Sequence, residues 1–564
     1  MKRITFILTG LSLSLTVAAQ NNTSGNNKED KGVLSGNLLV NQQMYDRDDS
    51  IGASTQVYRT TKSSAEAWLY LNYKVRGYSF SLRYDLFNNS PLLNPQGTYT
   101  QNGIGYWQIA KDIDKLNITA GYFYDQFGSG IIYRSYEVRP LGLDFATQGL
   151  RLQYNFSKKT VLKAFTGMPK GDIGNRFGVN PQVMKGTNLE HRADLGNLGN
   201  LDLGASFLNR TLDRESMNLI VENIRSYPID EQFIPKYNVY AWNVYGNWSV
   251  GNLSLGLEYN HKSAEAIRNQ RGDLENRNGR VLLVNAAYSV AGFGKNGGGS
   301  MGFNAQYRHV DHYSLRYQPF LNVQQPLYGF ITYLPSLTRQ NAYRLLARYQ
   351  APTQDLGENG VQAEWVITPK FGTNFNLNYS DVRSLKSNGI DGKVLQLYRE
   401  FYAEWQQKWG TKKKIQTKLG LQRVYYNQAR YEQEPEYEPV NTLTPFGELS
   451  IKLPKKRSMR LELQYLETTK DQGSFLNAML EFNISPYWNI SAGDMINTKP
   501  HRYANMIIAD KVIHYPTFFT SYTAKNSVFT LAYLKQQAGV NCSGGICRVE
   551  PAFSGFRFTV STNF

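Results

Sequence analysis

Four charged residues that follow a glycine-rich segment are the first candidates for chemistry in this sequence. Arg134, Glu137, Arg139 and Asp144 come shortly after the segment 127–130, Phe-Gly-Ser-Gly. Fixed charges select ions when they line a narrow water-filled path. The alternative is a loop held by internal ion pairs, which contribute little where they are exposed. Both interpretations stay open, and the four residues are our candidates for a lumen constriction.

Two other clusters carry residue types that bind metals. The segment 46–49, Asp-Arg-Asp-Asp, lacks the glycine and the distal glutamate of an EF-hand loop and is read as a solvated acidic loop. The segment 309–312, His-Val-Asp-His, has no further ligands that the sequence can place. We therefore predict no metal and no cofactor. With only 6 His, the chain offers no ordered nucleophile, base and orienting group, so we expect no enzymatic activity.

The two cysteines of the chain, Cys542 and Cys547, lie close together near its end. Their spacing is wrong for a Cys-x-x-Cys redox motif, and no histidine cluster adjoins them to suggest zinc. In an exported protein the default is a small disulfide that closes a tight loop.

The first residues predict export. Lys2 and Arg3 precede a short apolar run that ends in small residues, so 1–19 is interpreted as a signal peptide. Residues 20–31 form a short polar tail, too short for the plug domain of an energised transporter. Beyond the signal no apolar stretch is long enough for a membrane helix. The remainder, 32–564, is assigned to one domain.

Alternation with a period of two dominates that domain. In the segment 373–380, Thr, Phe, Leu and Tyr occupy one face and Asn, Asn, Asn and Ser the other. This pattern is typical of strands with one apolar, lipid-facing side and one polar, lumen-facing side. A soluble secreted β-protein has a similar composition. The number of such segments favours an all-β fold, a single transmembrane antiparallel β-barrel of about 24–26 strands.

Connection lengths alternate along the chain and predict short periplasmic turns and long extracellular loops. A hairpin formed by 327–333 and 343–349 would give 26 strands, which is the count we prefer; without it the count is 24. Because a barrel this wide leaves a large lumen, long loops such as 126–146, 168–182 and 311–326 are the candidates for filling it.

The last strand carries an alternating set, Phe556, Phe558, Val560 and the terminal Phe564. It resembles the C-terminal strand by which barrel-assembly machinery recognises its substrates. The expected partners are therefore that machinery and outer-membrane lipid, which places the protein in the cell outer membrane.

The net charge of +17 raises nucleic acid as a partner, but no basic run of five residues exists, and we expect none. A basic excess in the lumen, loops and lipid contacts favours a small anionic or nutrient solute instead. The sequence does not identify a protein partner.

The segment 122–130 and its continuation, the segment 333–340 (YLPSLTRQ) and the close of the chain are distinctive. They resemble an uncharacterised family of outer-membrane β-barrel proteins of the Bacteroidota, a domain of unknown function. The resemblance implies the barrel and its compartment and carries no activity. We expect a passive or substrate-selective channel whose loops constrict the lumen. The alternative is a non-conducting structural, assembly or docking component with a plugged lumen.

Overall fold

The computed structural model describes residues 32–93, 97–171, 173–269, 271–293, 298–316, 331–370, 372–432, 436–500, 512–543 and 546–564. The predicted signal peptide and polar tail lie outside these residues. Twenty-four antiparallel strands form one sheet, and each strand pairs with its neighbours in the chain. The all-β barrel of about 24–26 strands is confirmed, with 24 strands in the described residues, so the preferred count of 26 is wrong. Residues 327–330 of the predicted hairpin lie outside the described residues. Within 331–349 the chain forms turns inside the barrel instead of the second half of a hairpin.

The barrel strands are numbered β1 to β24 in chain order. Their bounds are β1 Val33–Tyr45, β2 Ser63–Val75, β3 Tyr78–Ser90, β4 Tyr99–Ile113, β5 Leu116–Phe123, β6 Thr147–Ser157, β7 Thr160–Pro169, β8 Val183–Asp194, β9 Asn200–Thr211, β10 Asn238–Val250, β11 Leu253–Arg268, β12 Leu274–Phe293, β13 Gly299–Asp311, β14 Gly357–Lys370, β15 Thr373–Ser384, β16 Gln396–Trp409, β17 Ile415–Tyr426, β18 Val440–Leu453, β19 Arg457–Leu466, β20 Gly473–Ile484, β21 Trp488–Pro500, β22 Ile513–Ala524, β23 Ser527–Gln536 and β24 Phe553–Asn563.

The first and last strands close the barrel. β1 pairs with β24 in an antiparallel register that runs from Asn37 opposite Asn563 to Tyr45 opposite Gly555. The Phe564 N–H donates to the Gly36 carbonyl (3.0 Å) and extends the ladder to the last residue. Closure removes the free sheet edges that would otherwise expose unpaired backbone groups.

Alternation sorts side chains between the two faces of the barrel wall. On β3, Phe80, Leu82 and Tyr84 are exposed on the outside, whereas Arg83 and Asp85, which alternate with them, are buried on the inside. The same outward apolar face recurs around the barrel. An apolar belt outside a polar interior is the arrangement that lipid requires of a spanning barrel.

One end of the barrel, the turn end, carries the start of β1, the end of β24 and the short connections, and the other, the loop end, carries the long ones. The turn between β2 and β3 places Arg76 and Gly77 at positive φ, 47° and 74°. Two consecutive residues of this kind match the twist of the adjoining strands. The predicted alternation of short turns with long loops is confirmed.

Helix α1, Arg214–Arg225, lies in the loop between β9 and β10. Asp213 caps its first turn by accepting from the backbone of Glu215 and Ser216. Its apolar face, with Ile220 and Ile224, packs against residues of this loop end. Among the described residues, no helix has the length and apolar character needed to cross a membrane.

Candidate functional site

Two chain segments fold into the barrel from the loop end. The first inner segment, residues 124–146, connects β5 to β6, and the second inner segment, residues 331–356, precedes β14. Both are rich in buried residues although they lack long strands or helices. The site is therefore the lumen itself and the way these segments fill it.

The first inner segment reaches deep into the barrel because two glycines allow a tight bend. Gly128 has φ 55° and lies against the side chain of Tyr245 on the inner wall of β10, and Gly130 has φ 95°. Between them, the Ser129 N–H donates to Glu258 of β11 (3.2 Å). The segment is thus anchored to the inner face of the wall.

Apolar residues of the first inner segment form a core inside the lumen. Phe127, Ile132 and Tyr133 pack with Phe165 and with inward residues of the following strands. The Phe165 and Tyr133 rings stack with centroids 4.5 Å apart. A filled apolar core excludes water from this part of the lumen.

A buried cluster of charged side chains attaches the first inner segment to β3. Arg83 donates to Asp85 (2.6 Å), to Glu137 (2.7 Å) and to Asp144 (2.7 Å), and its side chain is 1% exposed. Lys170, which follows β7, also donates to Asp144 (2.7 Å). Removing one member of such a cluster would leave a buried charge uncompensated.

The pKa shifts of these loop groups follow from their surroundings. Burial raises the pKa of the Asp144 carboxyl, but the charges of Lys170 and Arg83 outweigh burial and hold it well below its usual range. Burial raises the pKa of Glu137, although the Arg83 charge opposes the shift. Asp144 is therefore the permanent anion of the cluster.

The four predicted constriction residues therefore do not form one group. Glu137 and Asp144 meet at Arg83, and Arg139 donates to Glu137 (3.0 Å) at the edge of a cavity. Arg134 lies apart, between the two inner segments. The cluster is internally paired, which is the alternative that the sequence left open; a selective role for these residues stays a prediction.

Arg134 connects the two inner segments. The Arg134 backbone N–H donates to the Ile331 carbonyl (3.1 Å), and the Tyr333 backbone N–H donates to the Gly130 carbonyl (3.0 Å). Its guanidinium carbon lies 4.5 Å from the centroid of the Tyr136 ring and 4.0 Å from that of Tyr333. We call this set of contacts the latch.

The second inner segment is fixed to the opposite wall by carboxylates and amides of the strands. Arg339 donates through its backbone N–H to Glu400 (3.2 Å) and through its guanidinium to Glu364 (2.9 Å). The Tyr343 hydroxyl donates to Glu448 (2.9 Å), and the Leu345 N–H donates to Gln464 (2.8 Å). These contacts span β14 to β19. Together the two segments therefore attach to most of the barrel wall.

Two cavities of about 510 Å³ each lie inside the barrel, one lined by the second inner segment and the other by Arg139 and Pro140 of the first. The outer cavity lies at the loop end and is lined by Arg344, Arg348 and Glu432, among others. The seam cavity follows β1, β2 and β24, where the barrel closes, and Arg139 reaches it. Gln536 lines both cavities, so they adjoin along one side of the lumen.

The remaining predicted residues fall into ordinary structural settings. His309 shares a hydrogen bond with Asn359 (2.7 Å) and His312 one with Asp311 (2.7 Å). No group of three possible metal-ligating side chains occurs in the described part of the chain. In the acidic loop, Asp48 accepts from Lys535 (2.5 Å).

Cys542 and Cys547 lie directly opposite each other in a short antiparallel hairpin. Their side chains lie outside the described residues, so the disulfide stays a prediction. On β24, Phe556 and Phe558 are exposed on the outer face, and the terminal Phe564 ring lies against Gly36. Recognition of this strand by assembly machinery also stays a prediction.

Sequence reasoning missed Arg83, Arg344 and the latch partner Tyr333. Arg83 could have been flagged, because it alternates with apolar residues on a strand whose other face is lipid-facing, and a lumen-side charge needs a partner. Nothing in the sequence identified Arg344 or Tyr333, because their segments were assigned to a hairpin.

A closed antiparallel barrel with an apolar outer belt and a polar, loop-filled interior defines the class: this is a transmembrane β-barrel. The chain belongs to a family described as a family of unknown function (DUF6029), which it matches over residues 1–564. This confirms the expected uncharacterised family; an origin in the Bacteroidota stays a prediction. No curated protein matches the sequence.

Solved barrels are similar in fold. The translocation pore of the P pilus usher PapC has 9% identity, covering 94% of this chain and 99% of that chain, with a TM-score of 0.40. OccAB3 of Acinetobacter baumannii has 7% identity, covering 94% and 99%, with a TM-score of 0.35. The siderophore receptor PirA of Pseudomonas aeruginosa has 10% identity, covering 95% and 81%, with a TM-score of 0.40. At such identities the similarity concerns the fold alone.

Proposed function

We propose that this protein is a substrate-selective channel of the cell outer membrane whose lumen is closed at rest by its two inner segments. The turn end faces the periplasm and the loop end faces the outside, as in other barrels of this membrane. Export by the predicted signal peptide and insertion by barrel-assembly machinery, through the C-terminal strand, belong to the same proposal.

The latch is the observation that supports the proposal. Backbone hydrogen bonds join the two segments across the lumen, and an arginine between two tyrosines adds a contact that a small rearrangement can break. The two adjoining cavities leave unfilled space along one side of the lumen. A narrow route along β1, β2, β23 and β24 would favour selected small solutes over general diffusion.

The experiment is conductance of the purified, refolded protein in a planar bilayer, with the reversal potential measured under a salt gradient. We expect small, rare openings from the unaltered protein and a large, stable conductance when 333–349 is replaced by a short glycine–serine linker. Silence from both proteins, each shown by heat-modifiable gel migration to be folded, would refute a channel.

A non-conducting docking component is the second candidate. The loop after α1 supports it, because Ile229 and Ile234 are 90% and 87% exposed at its tip. Large apolar side chains exposed close together on one loop fit a surface that binds another protein. This candidate predicts that the linker variant conducts while the unaltered protein never opens under any solute.

The proposal assigns no catalytic step to the chain. Gly298, Ser300 and Gly302 do have the spacing of a nucleophile elbow, but that motif requires a sharp turn from a strand into a helix. Ser300 lies within β13, where it pairs with Thr368 of β14. A hydrolase assay with ester substrates is expected to show no turnover.

A further inference from the structure

The outer cavity receives two arginines from one helical turn. The Ala347 N–H donates to the Tyr343 carbonyl (2.9 Å), so this part of the second inner segment turns as a helix does. Residues four apart on such a turn lie on the same face. Arg344 and Arg348 accordingly both line the outer cavity.

The two arginines differ in how they are neutralised. Arg348 donates to Asp471 (2.8 Å) and to the Tyr349 hydroxyl (3.1 Å). Among the described residues, no hydrogen bond or ion pair reaches the guanidinium of Arg344.

Burial and the Arg348 charge lower the pKa of Arg344 and outweigh Tyr515 and Asp494, which raise it, but an arginine stays protonated in proteins. Asp494 acts on Arg344 only at a distance, and its own oxygens are engaged by the His514 ring (2.6 Å) and the Tyr515 backbone N–H (3.1 Å). Arg344 is therefore a partly buried cation with no direct anionic partner among the described residues.

The other charges at the cavity do not supply that anion. Lys535 is neutralised by Asp48 from outside the cavity lining (2.5 Å). Glu432 accepts from Gln428 (3.0 Å), and burial raises its pKa to about 7, so near neutral pH it carries only part of a charge. Asp471 is already shared by Arg348 and Tyr349.

We propose that the outer cavity binds a small organic or inorganic anion with carboxylate or phosphate oxygens, and that the Arg344 guanidinium is its principal ligand. Arginine presents paired N–H donors that match these groups and binds them in a bidentate manner. The cavity volume of about 510 Å³ is that of a small-molecule site. This inference rests on the proposed channel, since it names the class of solute that enters at the loop end.

The test is isothermal titration of the folded full-length protein in detergent with two probes, inorganic phosphate and succinate. We expect at least one probe to bind, and the stronger one shows whether phosphate or carboxylate is preferred. Arg344→Gln should weaken that binding about tenfold or more, because a charge-assisted bidentate contact is lost. Arg344→Lys, which keeps the charge but not the paired donors, should fall between the two.

Arg225→Gln is the matched control, because Arg225 is an exposed arginine at the end of α1, outside the outer cavity. It should bind the probes as the unaltered protein does. The inference is overturned if neither probe binds the unaltered protein at millimolar concentration, or if Arg344→Gln and Arg344→Lys both bind unchanged.

The binding measurement tests the anion site and the conductance measurement tests the channel, so either proposal can be refuted without the other. Binding in detergent that depends on Arg344, with silence in the bilayer from both the unaltered protein and the linker variant, refutes the channel and leaves the anion site. Conductance that neither probe blocks, with no binding in detergent, refutes the anion site and leaves the channel.

Discussion

Arg134→Gln should loosen the latch without unfolding the barrel. The change removes the cation from between the Tyr136 and Tyr333 rings, whose centroids lie 4.5 and 4.0 Å from the guanidinium carbon. It retains the backbone bonds that join Arg134 to Ile331 and Tyr333 to Gly130. The side-chain contacts are lost and the backbone contacts are kept, so the effect should be partial.

The magnitude follows from the two ring contacts. Each cation–π contact contributes about 0.5–2 kcal/mol, and more when it is shielded from water. Losing both should destabilise the closed arrangement by about 1–4 kcal/mol, which raises the open population by about 5- to 900-fold. The frequency of openings in a planar bilayer should rise by the same factor, with the conductance of each opening unchanged.

The control for this experiment is Arg383→Gln. Arg383 pairs with Asp381 (2.8 Å) near the loop end, and its side chain is 55% exposed. Exposed ion pairs contribute little. This variant should therefore open as rarely as the unaltered protein.

A double-mutant cycle with Tyr333→Leu separates the latch from indirect effects. If Arg134 acts through the Tyr333 ring, the two single changes and the double change should be non-additive by about 0.5–2 kcal/mol. Additive effects, or an unchanged opening frequency in Arg134→Gln, would refute the assignment of this contact as the latch.

Three further predictions concern stability and ligand binding. Asp144→Asn should lower the free energy of unfolding by about 3–5 kcal/mol in urea titrations, because the buried Arg83 loses a charged partner; an unchanged midpoint would contradict the role given to the cluster. Gly36→Ala should reduce the yield of heat-modifiable barrel, because an added Cβ meets the C-terminal ring, whereas Gly302→Ala, where nothing lies within 4 Å, should not. Anion binding should strengthen as pH falls from about 8 to about 6, because Glu432, with a pKa of about 7, loses its negative charge; sulfate, which does not titrate there, is the probe, and Glu432→Gln should abolish the dependence.

The barrel could be predicted because alternation with a period of two is local. The alternation within one strand shows which residues face outward and which face inward, as with Leu82 and Arg83 on β3. No long-range information is needed for this prediction. The hairpin predicted from 327–333 and 343–349 was wrong because a local pattern of apolar residues was taken for a strand. There, buried Leu345, Leu346 and Tyr349 contact protein on several sides, so apolar residues recur without a sheet to explain them.

The site was only partly predictable, because neutralisation is a long-range property. The sequence singled out Glu137 and Asp144, but it could not show that Arg83, more than fifty positions earlier in the chain, lies between them. Arg344 is distinguished by the lack of a direct anionic partner instead. Only the folded chain can show that lack.

The net charge of +17 does not describe every part of the lumen. Below the second inner segment, Glu448 and Glu462 lie directly opposite each other on β18 and β19, an arrangement that like charges disfavour. Arg460 compensates by reaching Glu462 (2.9 Å), Glu448 (3.4 Å) and Glu481 (2.7 Å), which leaves more carboxylates than cations in this group. An anion bound at Arg344 would meet this acidic wall on its way inward. The affinity of the outer cavity for anions and the ion selectivity of conductance therefore depend on different residues. A preference for anions at the outer cavity does not imply that the open channel conducts anions better than cations.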